Sequence, residues 1–268
     1  MTPPVALTIA GSDSGGGAGI QADLKTFAAL GVFGTSAITA LTAQHTAAVC
    51  AVQPVDADFV VAQVEAVLAD LPVTAVKTGL LATAETVRAV AALAAAGRLP
   101  NLVVDPVLVS STGTRLLAPD AERAYRDELL PRACVVTPNR REAETLLGTA
   151  IRDARNQRAA AHALAALGPP VVVVTGGDGD PGAAARDVIV GVDGLDELVG
   201  PRLDTGNTHG SGCSFAAAVA AGLARGCPPG PALEGAKSFV YEAIRTAAAW
   251  DLGAGHGPLN HFLWEETP

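Results

Sequence analysis

The stretch VTAVKTGLLATAETVRAVAALAAAGRLPNLVVDPV, residues 73–107, begins with a short apolar run, ThrAlaValLys from Thr74, and ends with another, LeuValValAsp from Leu102. Between them, alanine, leucine and valine recur at helical spacing over residues 84–96, and Thr83 ahead of AlaGluThr is a helix start signal. Two strands joined through such a helix run parallel, because the crossover carries the chain back to the end of the sheet where it started. A parallel sheet is covered by helices on both faces, which suits strands as uniformly apolar as these.

The same alternation extends in both directions. Further strands are expected from Val5, Thr35, Cys134 and Val171, and helices over residues 21–30, 57–68, 120–129, 140–147, 156–167, 214–224 and 231–250. Runs from Asp187 and Leu198, separated by GlyLeuAspGlu, predict an antiparallel hairpin at one edge. The expected fold is α/β, in three layers, with a mostly parallel central sheet. Residues 1–268 show no internal repeat, linker or composition break, so one domain is expected.

With 268 residues, 49% hydrophobic and 17% charged, the chain can bury a large core. A net charge of -9 argues against broad binding to nucleic acid or anionic membranes. Cysteines 50, 134, 213 and 227 lack C-x-x-C spacing and read as reduced thiols. No leader or membrane span stands out, so a soluble, cytoplasmic protein is expected.

In such sheets ligands bind beyond the carboxyl ends of the strands, where the loops turn into helices. The five glycines within GlySerAspSerGlyGlyGlyAlaGly, from Gly11, would let backbone approach a ligand, although a flexible turn explains them equally well. GlyAspGlyAspProGly from Gly177 fits a dinucleotide pattern, but its two aspartates would repel a pyrophosphate. HisGlySerGlyCys from His209 stands directly before a helix, so the amides of Gly210, Ser211, Gly212 and Cys213 would form an anion site without any basic side chain. There the helix dipole would favour a Cys213 thiolate, against the plainer reading of a small buried cysteine. His209 either contacts phosphate or bonds its own turn.

Asp105 ends a strand where a cation or ligand donor could meet it, or it caps the following turn. Asn139 and Glu142, three apart, either share a face toward magnesium-bound water or form a capping box. Gln44 has the donor and acceptor needed for a heterocycle's edge, although a surface turn is the commoner setting. Asp23 reads as an ordinary solvated helix charge.

Together GSDSGGGAGIQADLKTFAALG, ITALTAQHT, VKTGLLAT, VVDPVLVSSTG, VTPNRREAETLLG, RLDTGNTHGSGC and GHGPLNHF resemble the hydroxymethylpyrimidine and phosphomethylpyrimidine kinases of thiamine biosynthesis, in the ribokinase superfamily. The resemblance implies ATP as phosphoryl donor, magnesium, a small pyrimidine substrate and a homodimer. It places Gln44 on the pyrimidine edge with Asp23, Gly11, Leu80 and Val107 around the ring. Asp105, Asn139 and Glu142 would serve magnesium and the phosphates, and Gly210, Ser211 and Gly212 the transferring group. Cys213 stands where most of the superfamily has an aspartate base, and Thr208 and Lys237 are nucleotide candidates.

Two positions depart from the family. Its Lys-Gly-Gly-His turn reads Thr175, Gly176, Gly177, Asp178 here, so a cationic phosphate contact is missing. Leu80 replaces a common methionine of similar volume. The rival readings are a pyridoxal or related vitamin kinase, a thiol-nucleophile enzyme built on Cys213 and His209, and a pyrimidine-binding regulator without turnover.

Overall fold

A computed structural model describes residues 2–108, 117–177 and 184–262. Asp178, most of the dinucleotide-like pattern and the ValSerSerThrGly end of one resembling segment lie outside them. The chain opens with strand β1 (Val5–Asp13), helix α1 (Gly19–Ala29), β2 (Phe33–His45), β3 (Ala48–Pro54) and α2 (Ala57–Asp70). It continues through β4 (Val73–Thr78), α3 (Ala84–Ala95), β5 (Leu102–Val104), α4 (Pro119–Ala124), β6 (Val135–Val136) and α5 (Arg140–Leu147). It ends with α6 (Ala154–Ala165), β7 (Val171–Val174), β8 (Ala185–Val190), β9 (Glu197–Gly200), α7 (Ser211–Ala224) and α8 (Pro229–Ala247).

The sheet order is β3-β2-β1-β4-β5-β6-β7-β8-β9. The six strands from β2 to β7 in that order are parallel, and antiparallel pairs close both edges. The hairpin of β8 and β9 is the expected edge. The opposite edge, β3, has no counterpart in the sequence reading, because AlaValCysAlaValGlnPro is mostly exposed and lacks an apolar alternation.

Period-two geometry sorts each strand between two cores. Leu7, Ile9, Val76, Val104, Val136, Val172 and Val174 pack with α2 through α6. Their neighbours Ala6, Ala75, Val103, Val135, Val171 and Val173 pack with α1, α7 and α8. Burying each large apolar side chain contributes about 1.5–3 kcal/mol. Exposed pairs such as Arg88 with Glu128 contribute about 0–1 kcal/mol, so the layers hold the fold and the surface charges do not.

Several helix limits differ from expectation for identifiable reasons. Asp153 accepts from the Asn156 amide at 2.7 Å, which starts α6 at Ala154. Pro229 needs no helical partner for a missing N–H, so α8 begins there. After α4 the chain winds on as a wider π turn over Tyr125–Leu129. The helix expected to start at residue 214 begins at Ser211, with Gly210 as N-cap.

The chain runs from β1 to β2 on one side and from β3 to β4 on the other. That makes the crevice between β1 and β4 the topological switch point, where α/β sheets place their ligands.

Candidate active site

At the carboxyl ends of β1, β4, β5 and β6 lies a cavity of about 160 Å³. That is below the roughly 300–1,000 Å³ of sites for drug-sized ligands, so the enclosed part suits one small ring. Gly11, Gln44, Leu80, Val107, Asp105, Asn139, Glu142, Thr175 and the run Gly210, Ser211, Gly212 and Cys213 all line it. Four expected residues, Asp23, Gly177, Thr208 and Lys237, are not in its lining.

Two glycines interlock the loop after β1 with the start of α7. Gly19 has φ +57° and Gly210 φ +83°, the left-handed region that glycine enters without a steric penalty. A Cβ at Gly19 would run into the Gly11 carbonyl, and one at Gly210 into the Gly17 carbonyl. Side chains at either position would therefore push the two walls of the cavity apart.

The glycine loop is organised around Asp13, which the sequence reading passed over. Asp13 Oδ1 accepts from the Gly15 amide at 2.8 Å, and Oδ2 accepts from Gly17 at 3.1 Å and Ala18 at 2.9 Å. Burial works against this carboxylate's charge, but His209 and the amides outweigh it and hold its pKa below the ordinary value. Three amides expected to face a ligand are thus committed to the loop itself. His209 Nε2 lies 2.9 Å from Asp13 Oδ2 and 3.3 Å from one end of the Gln44 amide, whose other end lies 3.2 Å from Thr42 Oγ1.

At α7 the Ser211 amide donates to the Thr208 carbonyl at 3.1 Å. Among the described residues the amides of Gly212 and Cys213 make no backbone hydrogen bond. The anion site is therefore narrower than expected by the Ser211 amide, and among the described residues no backbone bond occupies the amides of Gly210, Gly212 or Cys213. The C-terminal segment braces this helix start: the His209 amide donates to Gly257 O at 3.0 Å, and Ser214 Oγ meets His261 Nε2 at 2.8 Å. Burial first, then Lys25, pushes His261 down to about 4, so the ring is neutral.

Asp23 is fully buried and not solvated. Lys77 Nζ donates to its two oxygens at 3.0 and 3.1 Å, and Thr8 Oγ1 donates to Oδ2 at 2.6 Å. Thr8 and Lys77 are register partners on the sheet face that carries α1 and α7, so both reach Asp23 on α1. Lys77 also lies 3.4 Å from Asp105 Oδ2 and lines the cavity, a second residue the sequence reading missed. Burial alone would lower the Lys77 pKa, but Asp23 and its other neighbours outweigh this and the ammonium is held well above its ordinary value. Burial, relieved only partly by Lys77, raises the carboxyls of Asp23 and Asp105.

Cys213 departs from the thiolate expectation. Burial, against the attraction of Lys77, pushes its thiol up to about 12. Desolvation and the two nearby carboxylates win over the helix dipole. Iodoacetamide at about pH 8 is therefore expected to modify the exposed Cys50 well before Cys213. The Cys213 rate should rise about tenfold per pH unit until near its pKa, since only the thiolate reacts. Peptide mass spectrometry checks this, and equal rates at neutral pH would restore a stabilised thiolate.

Asn139 and Glu142 satisfy both of their sequence readings in part. The Glu142 amide donates to Asn139 Oδ1 at 2.9 Å and the Asn139 amide to Glu142 Oε2 at 2.9 Å, a complete capping box that also borders the cavity. Lys237 Nζ donates to Asp187 Oδ2 at 2.7 Å and Ala185 O at 3.1 Å, which ties α8 to β8 outside the cavity. Arg202, unremarked in the sequence, donates to the carbonyls of Gly177 at 2.6 Å and Gly176 at 3.1 Å, and so holds the turn that lacks the lysine.

An α/β sheet whose switch-point cavity joins helix-start amides to buried carboxylates belongs to a phosphotransferase of small molecules. The chain belongs to the phosphomethylpyrimidine kinase family, whose model matches residues 13–260. It is 49% identical over 260 residues to the hydroxymethylpyrimidine/phosphomethylpyrimidine kinase of Rhizobium meliloti, covering 96% of this chain and 97% of that one. Among solved structures it resembles the phosphomethylpyrimidine kinase of Clostridium difficile at 38% identity and TM-score 0.77, over 90% of this chain and 99% of that one. It also resembles the Bacillus subtilis pyridoxal kinase in its ADP complex, at 38% identity and TM-score 0.87, over 97% and 98%. The expected family and fold class are therefore both found.

Proposed function

We propose that this chain transfers the γ-phosphoryl group of ATP to the hydroxymethyl oxygen of 4-amino-5-hydroxymethyl-2-methylpyrimidine, and then phosphorylates the monophosphate to the diphosphate for thiamine biosynthesis. The observation that carries this reading is the convergence of Gln44, Leu80 and Val107 with the Gly212 and Cys213 amides on one ring-sized cavity. In the transfer, the hydroxymethyl oxygen bonds to the γ-phosphorus, the bond to the bridging oxygen breaks to release ADP, and the hydroxyl proton passes to water. The two amides are placed for the oxygens on which charge spreads. Such a loose transition state needs little prior deprotonation of the alcohol, so a Cys213 thiol on the first turn of α7 serves to position it.

The residues present suit magnesium. Thr137 Oγ1 is buried without a hydrogen-bond partner, Asp105 Oδ2 has the Lys77 ammonium at 3.4 Å, and both residues line the cavity. Among the described residues no three His, Cys, Asp or Glu converge, so an ion here takes most of its ligands from phosphate and water, as magnesium does. Asp105, Asn139 and Glu142 would hold it, directly or through water. Bound magnesium neutralises charge developing between the phosphates. Thr175 borders the cavity, and a nucleotide on that side has Gly177, Thr208 and Lys237 as its remaining candidate contacts. The nucleotide then meets the turn held by Arg202 in place of the missing lysine.

The unbroken nine-strand sheet supports one domain over residues 1–268. The exposed Leu41, at 51%, supports a homodimer joined at the edge formed by β2 and β3, which sedimentation checks. No helix among the described residues is long and apolar enough to cross a membrane. That agrees with a cytoplasmic site of action.

A phosphoryl-transfer assay with MgATP tests the proposal on hydroxymethylpyrimidine, its monophosphate and pyridoxal. Preferred turnover of both pyrimidines is expected. Preference for pyridoxal would establish the second reading, which the likeness to pyridoxal kinases favours.

A further inference from the structure

From the end of α8 the chain crosses two walls of the cavity and returns to the start of α7. The Gly255 amide donates to Thr46 Oγ1 at 3.1 Å and the His256 amide to the Thr46 carbonyl at 3.1 Å, on the turn between β2 and β3. Glycine permits this approach: a Cβ at Gly255 would run into the Thr46 carbonyl, and one at Gly257 into the Asn207 side chain. The Gly257 carbonyl then accepts from the His209 amide, Pro258 pairs in parallel with His209, and the Asn260 amide donates to the Ala243 carbonyl of α8 at 3.0 Å. These ties hold His261 buried between two helices. Its ring packs against Phe239 of α8 with centroids 6.5 Å apart, and its Nε2 lies 2.8 Å from Ser214 Oγ on the first turn of α7.

Beyond that turn α7 offers little to fix its placement. From Phe215 to Ala224 it carries only apolar side chains and Gly222, and seven of those ten residues are too small or too short to reach far into a neighbour. Burial of such a surface is non-directional, so it keeps the helix in its layer and constrains its height and rotation only loosely. A hydrogen bond constrains both, because it weakens steeply as distance and angle depart from their optimum. For packing alone, a buried serine and histidine have no advantage over an apolar pair of the same shape.

We propose that His261 is a positioning residue for phosphoryl transfer, which through Ser214 holds the first turn of α7 where the amides of Gly212 and Cys213 face the cavity. Ser214 follows Cys213 directly, and its own amide makes the first helical bond, to the Gly210 carbonyl at 2.8 Å. A shift at Ser214 is therefore passed to the donors beside it. Misplacement by about 1 Å of groups that meet the reacting atoms costs up to about 10²-fold in rate. The inference rests on the role proposed above for those amides.

Steady-state kinetics and thermal melts on Ser214→Ala, His261→Leu, the double variant and His261→Gln test this. His261→Leu leaves the buried Ser214 hydroxyl without its partner, so its Tm should fall, and adding Ser214→Ala removes that hydroxyl and should raise Tm again. The kcat should fall about tenfold or more in each single variant and stay low in the double, with KM for the pyrimidine and for ATP within about twofold of wild type. A bond needed only for folding would instead let kcat recover together with Tm, and that result overturns the inference. Glutamine reaches about as far as Nε2 and offers both a donor and an acceptor, so His261→Gln should keep most of kcat. If His261→Leu does not fold, Ser214→Ala decides: a kcat within about twofold of wild type overturns the inference. Gly212→Pro, measured alongside, separates this inference from the reading beneath it. If it lowers kcat while Ser214→Ala and His261→Leu do not, only the role of His261 fails. If it matches Gly212→Ala, which keeps the N–H, the role of the Gly212 amide fails and this inference with it.

Discussion

Replacing Gly212 by proline is expected to lower kcat by about 10²–10³, the cost of removing one preorganised donor from a developing oxyanion. Gly212 is the second residue of α7, a first-turn position where proline is tolerated because its missing N–H has no helical partner. The substitution therefore deletes the proposed catalytic group and leaves the helix in place. Gly212→Ala is the matched control: nothing lies within 4 Å of a Cβ built there, and the N–H is retained, so kcat should stay within about fivefold of wild type. Far-ultraviolet dichroism and thermal melts confirm that both variants fold. A proline variant with kcat close to that of the alanine variant would show that this amide does not contact the transferring group.

Parallel strands β5, β6 and β7 were legible as nearly pure runs of valine and leucine, and β1 and β4 by the apolar stretches within them, which only a sheet covered on both faces keeps out of water. β3 was not, since its two valines stand apart in an exposed edge strand with alanine, cysteine, glutamine and proline and carry no burial signal. The small residues ahead of α7 showed an anion site, but the sequence could not show that the Ser211 amide is spent on Thr208 while its neighbours are free. Asp13 was hidden among glycines whose amides it gathers. Asp23 had a signal that went unused: it is three residues after Ile20 and four before Phe27, on the buried stripe of α1. Lys77 had one too. It shares strand parity with Ala75, so a charge in that run points at a covered face and needs a partner there. The spacing of Asn139 and Glu142 fitted a cap and a ligand-facing pair equally, and the structure brings the cap to the cavity wall.

Lys77→Met is expected to destabilise the fold by about 3–5 kcal/mol near neutral pH, the cost of leaving buried charge without its partner. Asp23 is wholly buried and Asp105 is 3% exposed, so neither carboxylate can recover its hydration when the ammonium is lost. The sign of the pH dependence follows from the raised Asp23 pKa. In the variant, burial acts on Asp23 without the opposing ammonium, so its folded pKa rises further above the unfolded value of 3.8. The folded state then binds that proton more tightly than the unfolded chain, and the penalty is present above the folded pKa. It fades as pH falls through that pKa, so the gap in stability between wild type and variant should narrow between about pH 7 and about pH 4. Adding Asp23→Leu removes a buried charge along with its need for a partner, so the double variant should be more stable than Lys77→Met alone. Urea melts of the three proteins across that pH range measure each difference. A Lys77→Met loss under about 1 kcal/mol, or one that does not change with pH, would mean that the ammonium does not hold the wall of the site together.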